Sequence, residues 1–133
     1  AIADVVAGHV DLMFVSPVVG LSQIRAGTLR AYAVSTVGRQ PFLPDVPAIS
    51  EVIPGFESAA WFGLFAPAKL PAPIAAKLNG VVVTALNGPK MRAQMATEGA
   101  TPAGTSLADF AAFVRRDVER WAPIVKQSGA TVE

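Results

Sequence analysis

The chain has 133 residues, enough for one domain with a core. It is 52% hydrophobic and 16% charged, which excludes a disordered chain, and its net charge of +1 with no basic run argues against a nucleic-acid surface. The absence of cysteine excludes disulfides, thiolate metal sites and a cysteine nucleophile.

Ala1 to Ala7 reads as a helix end, with Gly8 at the position of a left-handed stop. The start lacks the basic region and long apolar core of a signal peptide, so the chain is expected to be a mature product or a fragment. Val10 to Val15 is an apolar run that predicts a buried strand. Ser16 follows as a candidate N-cap, with Pro17 at the first helical position, where its missing N–H does no harm. A helix is predicted from Val18 to Ala26, and a second strand from Leu29 to Val34. Ser35 to Pro47 is a Pro- and Gly-containing loop leading to a helical turn at Ala48 to Val52.

The most apolar and aromatic stretch is Glu57 to Pro67, with Trp61, Phe62 and Phe65 inside it. Pro and Gly bound it on both sides, which predicts a central strand. Gly63 also permits close approach near Trp61, so Trp61 could line a cleft. Helices are predicted from Pro71 to Leu86 and from Lys90 to Glu98, with Gly99 as a stop and a brief strand at Thr101 to Ala103. In the last helix Leu107, Phe110, Val114, Val118, Trp121 and Val125 share one face, which makes Trp121 an expected core residue. Ser106 is its N-cap and Asp109 takes the capping-box position; Pro123 is expected to kink or end it.

Strand, helix, strand, long loop, strand and helices is an α/β order. The loop from Ser35 to Gly55 is long for a compact domain and marks a joint between packing units. Neither unit holds enough strands for a complete sheet, so the chain reads as the C-terminal part of something larger.

Little chemistry is encoded. His9 is the single histidine, and no carboxylates cluster beside it, so no metal site and no cofactor are expected. His9, Asp11 and the serines leave a triad open by composition, yet no nucleophile elbow or phosphate loop is present. One feature remains: Val15-Ser16-Pro17 lies between a strand end and a helix start, where free N–H groups favour an anion such as a carboxylate. A simple helix cap explains the same residues equally well.

Read together, Gly8-x-Val10-Asp11-Leu12-Met13-Phe14, Ile24-Arg25-Ala26-Gly27, Leu43-Pro44-Asp45-Val46-Pro47, Pro54-Gly55-Phe56-Glu57, Trp61-Phe62-Gly63-Leu64-x-Ala66-Pro67 and Glu98-Gly99-Ala100 form an ordered series. This series resembles the C-terminal half of the substrate-binding receptors of tripartite tricarboxylate transporters, the Bug-type periplasmic solute receptors. The resemblance covers essentially the whole chain. It implies the C-terminal part of a two-lobed type II periplasmic-binding-protein fold, the "Venus flytrap". Residues 1–55 would belong to the second lobe, and residues 56–133 would return to complete the first.

The implied function is capture of a small carboxylated solute in the periplasm for membrane transporter subunits, without catalysis. The implied ligand contacts are Val15, Ser16 and Pro17, with Trp61 and Phe62 on the crossing strand. Many relatives carry Asp-Asn where this chain has Val15-Ser16, so the polar contact falls to Ser16 and the backbone N–H groups. The missing N-terminal half, or a second copy, would cover the open sheet edges. The alternative reading is the effector-binding domain of a transcription regulator with a similar two-lobe plan; an enzyme such as a hydrolase is the third.

Overall fold

A computed structural model describes residues 1–131. Among the described residues five α-helices carry the fold: α1 (Ile2–Val6), α2 (Pro17–Arg25), α3 (Ala72–Asn87), α4 (Pro89–Thr97) and α5 (Leu107–Ser128). A 3₁₀ turn spans Ile49–Glu51. The helices fall within a residue or two of the positions their capping and periodicity predict.

The chain packs as two compact units. The first comprises Ala1–Ala66 and Pro89–Pro102, so α4 returns to pack with the N-terminal half. Its buried apolar centre is small: Leu21 is 3% exposed and Ala48 1%. Val34 pairs in parallel with Ala48, its N–H donating to Pro47 and its carbonyl accepting from Ile49, both at 2.9 Å. Next to it, the Ser58 N–H donates to the Ser35 carbonyl and the Ser35 hydroxyl donates back to the Ser58 carbonyl, both at 2.8 Å. The long loop is pinned by a bidentate pair, Arg39 to Glu51 at 2.8 and 2.9 Å, while Glu51 also accepts the Ala48 N–H at 2.9 Å.

The second unit comprises Pro67–Gly88 and residues 103–133, of which 103–131 are described. It holds α3 and α5. The Asn79 side chain donates to the Thr105 carbonyl at 3.0 Å, tying α3 to the segment that leads into α5. Ser106 caps α5: its Oγ accepts the Asp109 N–H at 3.1 Å and its hydroxyl donates to the Asp109 carboxylate at 2.6 Å. Gly129 ends α5 in the left-handed conformation, φ 66°, that an L-residue resists.

Two expectations are corrected, the strands and the core position of Trp121, and that for Pro123 is narrowed. No strand forms among the described residues at 10–15, 29–34, 57–67 or 101–103; of these stretches only 29–34 carries a bridge, the isolated Val34–Ala48 pair. A strand is a ladder, and an apolar run without a neighbour to bond has none to join. The side chains show the same lack of partners: Phe14 is 74% exposed and Phe62 85%. Of the two outcomes expected of Pro123, a kink or an end, the end does not occur: α5 continues to Ser128. A proline removes one intrahelical bond, and the flanking turns of a long helix can hold across that gap. Trp121 is half-buried instead of core, with the Arg120 guanidinium 5.5 Å over its ring.

Candidate functional site

The turn that precedes α2 is built by three residues with different tasks. Val15 is half-buried and leans on α2 where Gly20 leaves room: a Cβ added at Gly20 would lie 2.9 Å from Val15 Cγ1. Ser16 takes the N-cap position with extended backbone, φ −66° and ψ 137°. Its carbonyl accepts the Val19 and Gly20 N–H groups, each at 3.0 Å. The residue is half-buried, and its hydroxyl makes no capping bond. Pro17 is the first helical residue and carries no N–H, which leaves the Val18 N–H as the first donor ahead of the intrahelical ladder. The Val18 N–H and the Ser16 hydroxyl thus stand together at the positive end of the α2 dipole.

Trp61 and Phe62 belong to the same compact unit as this turn. Trp61 is half-buried, its ring 6.4 Å from that of Phe65 and tilted by 43°. Phe62 stands almost fully exposed. Trp61 and Phe65, four residues apart, bring their rings together, and Phe62 is not part of that ring pair.

A second concavity, an open hollow of about 380 Å³, lies against Arg25, Pro41, Phe42, Ala96 and Thr101. Its lining is chiefly apolar, and the Arg25 guanidinium donates to the Thr97 carbonyl at 3.1 Å. That bond is to a neutral carbonyl, so the guanidinium keeps its charge and its other donors beside the hollow. His9 is exposed, and no group of three or more metal-binding side chains occurs among the described residues.

The backing of the turn is what sequence reasoning missed. Gly99 reads as a helix stop, φ 72°, yet it is buried against α2: a Cβ there would lie 2.7 Å from Pro17 Cβ and 3.3 Å from Leu21 Cδ2. Nothing local to Glu98-Gly99-Ala100 signals that approach.

The description "Tripartite tricarboxylate transporter family receptor" matches residues 1–130. The chain belongs to that family. Among curated relatives of this receptor chain, a UPF0065 protein from the TAR-I ttuE-ttuC' intergenic region of Agrobacterium vitis is 36% identical, covering 97% of the chain and 38% of the relative. Protein BugT of Bordetella pertussis is 30% identical, covering all of the chain and 41% of the relative. The chain thus spans about two fifths of the length of these relatives.

Two solved structures superpose closely on the receptor chain. One, "R. palustris Rpa4515 with adipate", gives a TM-score of 0.88 at 32% identity, covering 96% of the chain and 43% of that structure. The other, described as a periplasmic transporter, gives 0.85 at 31% identity with the same coverage. The backbone is therefore part of a periplasmic-binding-protein fold, as the sequence series implied.

Proposed function

We propose that this chain acts as the C-terminal part of a periplasmic receptor that captures a small carboxylated solute and hands it to the membrane subunits of a tripartite tricarboxylate-type transporter. It binds and releases, and it performs no chemistry on the solute. In the intact receptor, residues 1–55 serve the second lobe and residues 56–133 return to complete the first. Lobes are defined by the ligand cleft and packing units by contacts within this chain, so the two divisions need not coincide. The regulator reading has no support in the family match or in the structural neighbours.

The observation that carries this reading is the Ser16 turn: a half-buried serine whose hydroxyl is not engaged in capping, beside the Val18 N–H at the start of α2. A relative solved with adipate, a linear dicarboxylate, supports the solute class. Val15 is apolar, so the turn offers a carboxylate neutral donors and an apolar flank. Trp61 supplies a ring wall, and Phe62 serves only if closure brings it to the solute.

The test is calorimetric titration of the intact receptor with adipate and a series of shorter and branched carboxylates. Ser16→Ala removes one hydroxyl donor to an ionised acceptor and should weaken binding by about 1.5–3 kcal/mol. Ser16→Pro also removes a backbone N–H and should weaken it further. Unchanged affinity in both variants would place the solute elsewhere.

A further inference from the structure

We infer that Gly99 is a positioning residue for the ligand turn: the end of α4 is a rigid stop against which Pro17 rests, and only a glycine there lets the start of α2 sit where the solute meets it. The inference rests on the Ser16 reading above and names the part of the fold that sets the geometry of that site.

Three contacts carry it. At the N-terminal end of α2, a Cβ on Gly99 would lie 2.7 Å from Pro17 Cβ, closer than two carbons can approach, and 3.3 and 3.4 Å from Leu21 and Phe42. Pro17 Cβ is part of a ring fixed to the backbone, so it has no rotamer by which to withdraw. At the C-terminal end of α2, the Arg25 guanidinium donates to the Thr97 carbonyl at 3.1 Å, tying the last turn of α2 to the last turn of α4. Within the turn itself, Gly20 admits the Val15 side chain. The Val15-Ser16-Pro17 turn thus meets glycine at both of its ends, Val15 against Gly20 and Pro17 against Gly99, and α2 touches the end of α4 at Pro17, Leu21 and Arg25.

The two glycines are not equal. A Cβ at Gly20 would meet the end of a valine side chain, which can turn aside. A Cβ at Gly99 would meet a fixed ring in a buried setting, at φ 72°, where L-residues are strained as well. The strain and the collision separate by comparison with Gly55, which has φ 81° and open space around its Cβ position. Gly55→Ala carries the same backbone penalty with no neighbour to push.

The experiment compares Gly99→Ala, Gly55→Ala and Ser16→Ala in the intact receptor by amide hydrogen exchange and by calorimetry with adipate. The Val19 and Gly20 amides, which bond the Ser16 carbonyl, report the turn without any ligand. Gly99→Ala should speed their exchange by about tenfold relative to Gly55→Ala while leaving the amides of α5 unchanged. It should also weaken adipate binding by about tenfold relative to Gly55→Ala, through displacement of donors it does not itself provide. Exchange and affinity that match those of Gly55→Ala would overturn the inference. So would altered exchange with unaltered affinity, provided Ser16→Ala still weakens binding; if Ser16→Ala also leaves affinity unchanged, the Ser16 site itself fails.

Discussion

At the scale of single residues, charge does its clearest work away from the ligand turn, in the pair Arg39–Glu51. The hydrogen bonds from Arg39 and then from the Ala48 N–H hold the Glu51 carboxyl down, from an ordinary value near 4.5 to about 2. A depressed folded value means that the stabilisation is present above the unfolded value and is lost as the pH falls from about 4.5 toward 2. Both side chains are solvent-accessible, so the effect is local and salt-sensitive. The expected outcome is that Glu51→Gln lowers loop protection at neutral pH and flattens its acid limb, so that variant and parent converge as the pH falls toward 2. Amide exchange at Ala48 and Val34 measured across pH checks it. Ser16 is the other residue of consequence. Its position at a helix start was legible from Pro17, while the strand expected before it does not form. That its hydroxyl makes no capping bond was not legible, because an N-cap preference describes a position and not the rotamer adopted there.

At the scale of elements, the helices were legible and the strands were not, for one reason. A helix closes its hydrogen bonds within its own segment, so caps and periodicity are sufficient signals. Ser106 and Asp109 illustrate this, since both bonds of the cap lie within one turn. Ser106→Ala should therefore destabilise α5 by about 1 kcal/mol, seen as a lowered midpoint in denaturant with an unchanged slope. Replacement by Asp, which retains an acceptor, should recover part of the loss. A strand closes its bonds with a distant partner, and the runs around Leu12, Tyr32 and Phe62 carry the composition of strands without one. The same distance in sequence hides Gly99: its contact with Pro17 belongs to two segments that local reading treats separately. Val118 on the predicted inner face of α5 is 63% exposed, so the pattern marks a face able to be covered, whether or not this chain covers it.

At the scale of the whole molecule, the first unit has a small buried centre and exposes the apolar side chains of Phe14, Tyr32, Phe62 and Leu64, an apolar surface that suits a partner. We propose that the remainder of the receptor covers it, and that copies of this chain cover one another when that remainder is withheld. Light scattering on a dilution series of the chain alone should then give a mass above the monomer and strong binding of an apolar dye. Addition of the N-terminal segment of the receptor should reduce both. A monodisperse monomer without dye binding would contradict the proposal. The central claim is that the turn before α2 receives a carboxylate, and a crystal structure of the intact receptor with its bound solute tests it most directly. The account predicts a carboxylate oxygen within about 2.7–3.2 Å of the Ser16 hydroxyl or the Val18 N–H. A carboxylated solute seated in the cleft with no atom in reach of either donor would contradict it.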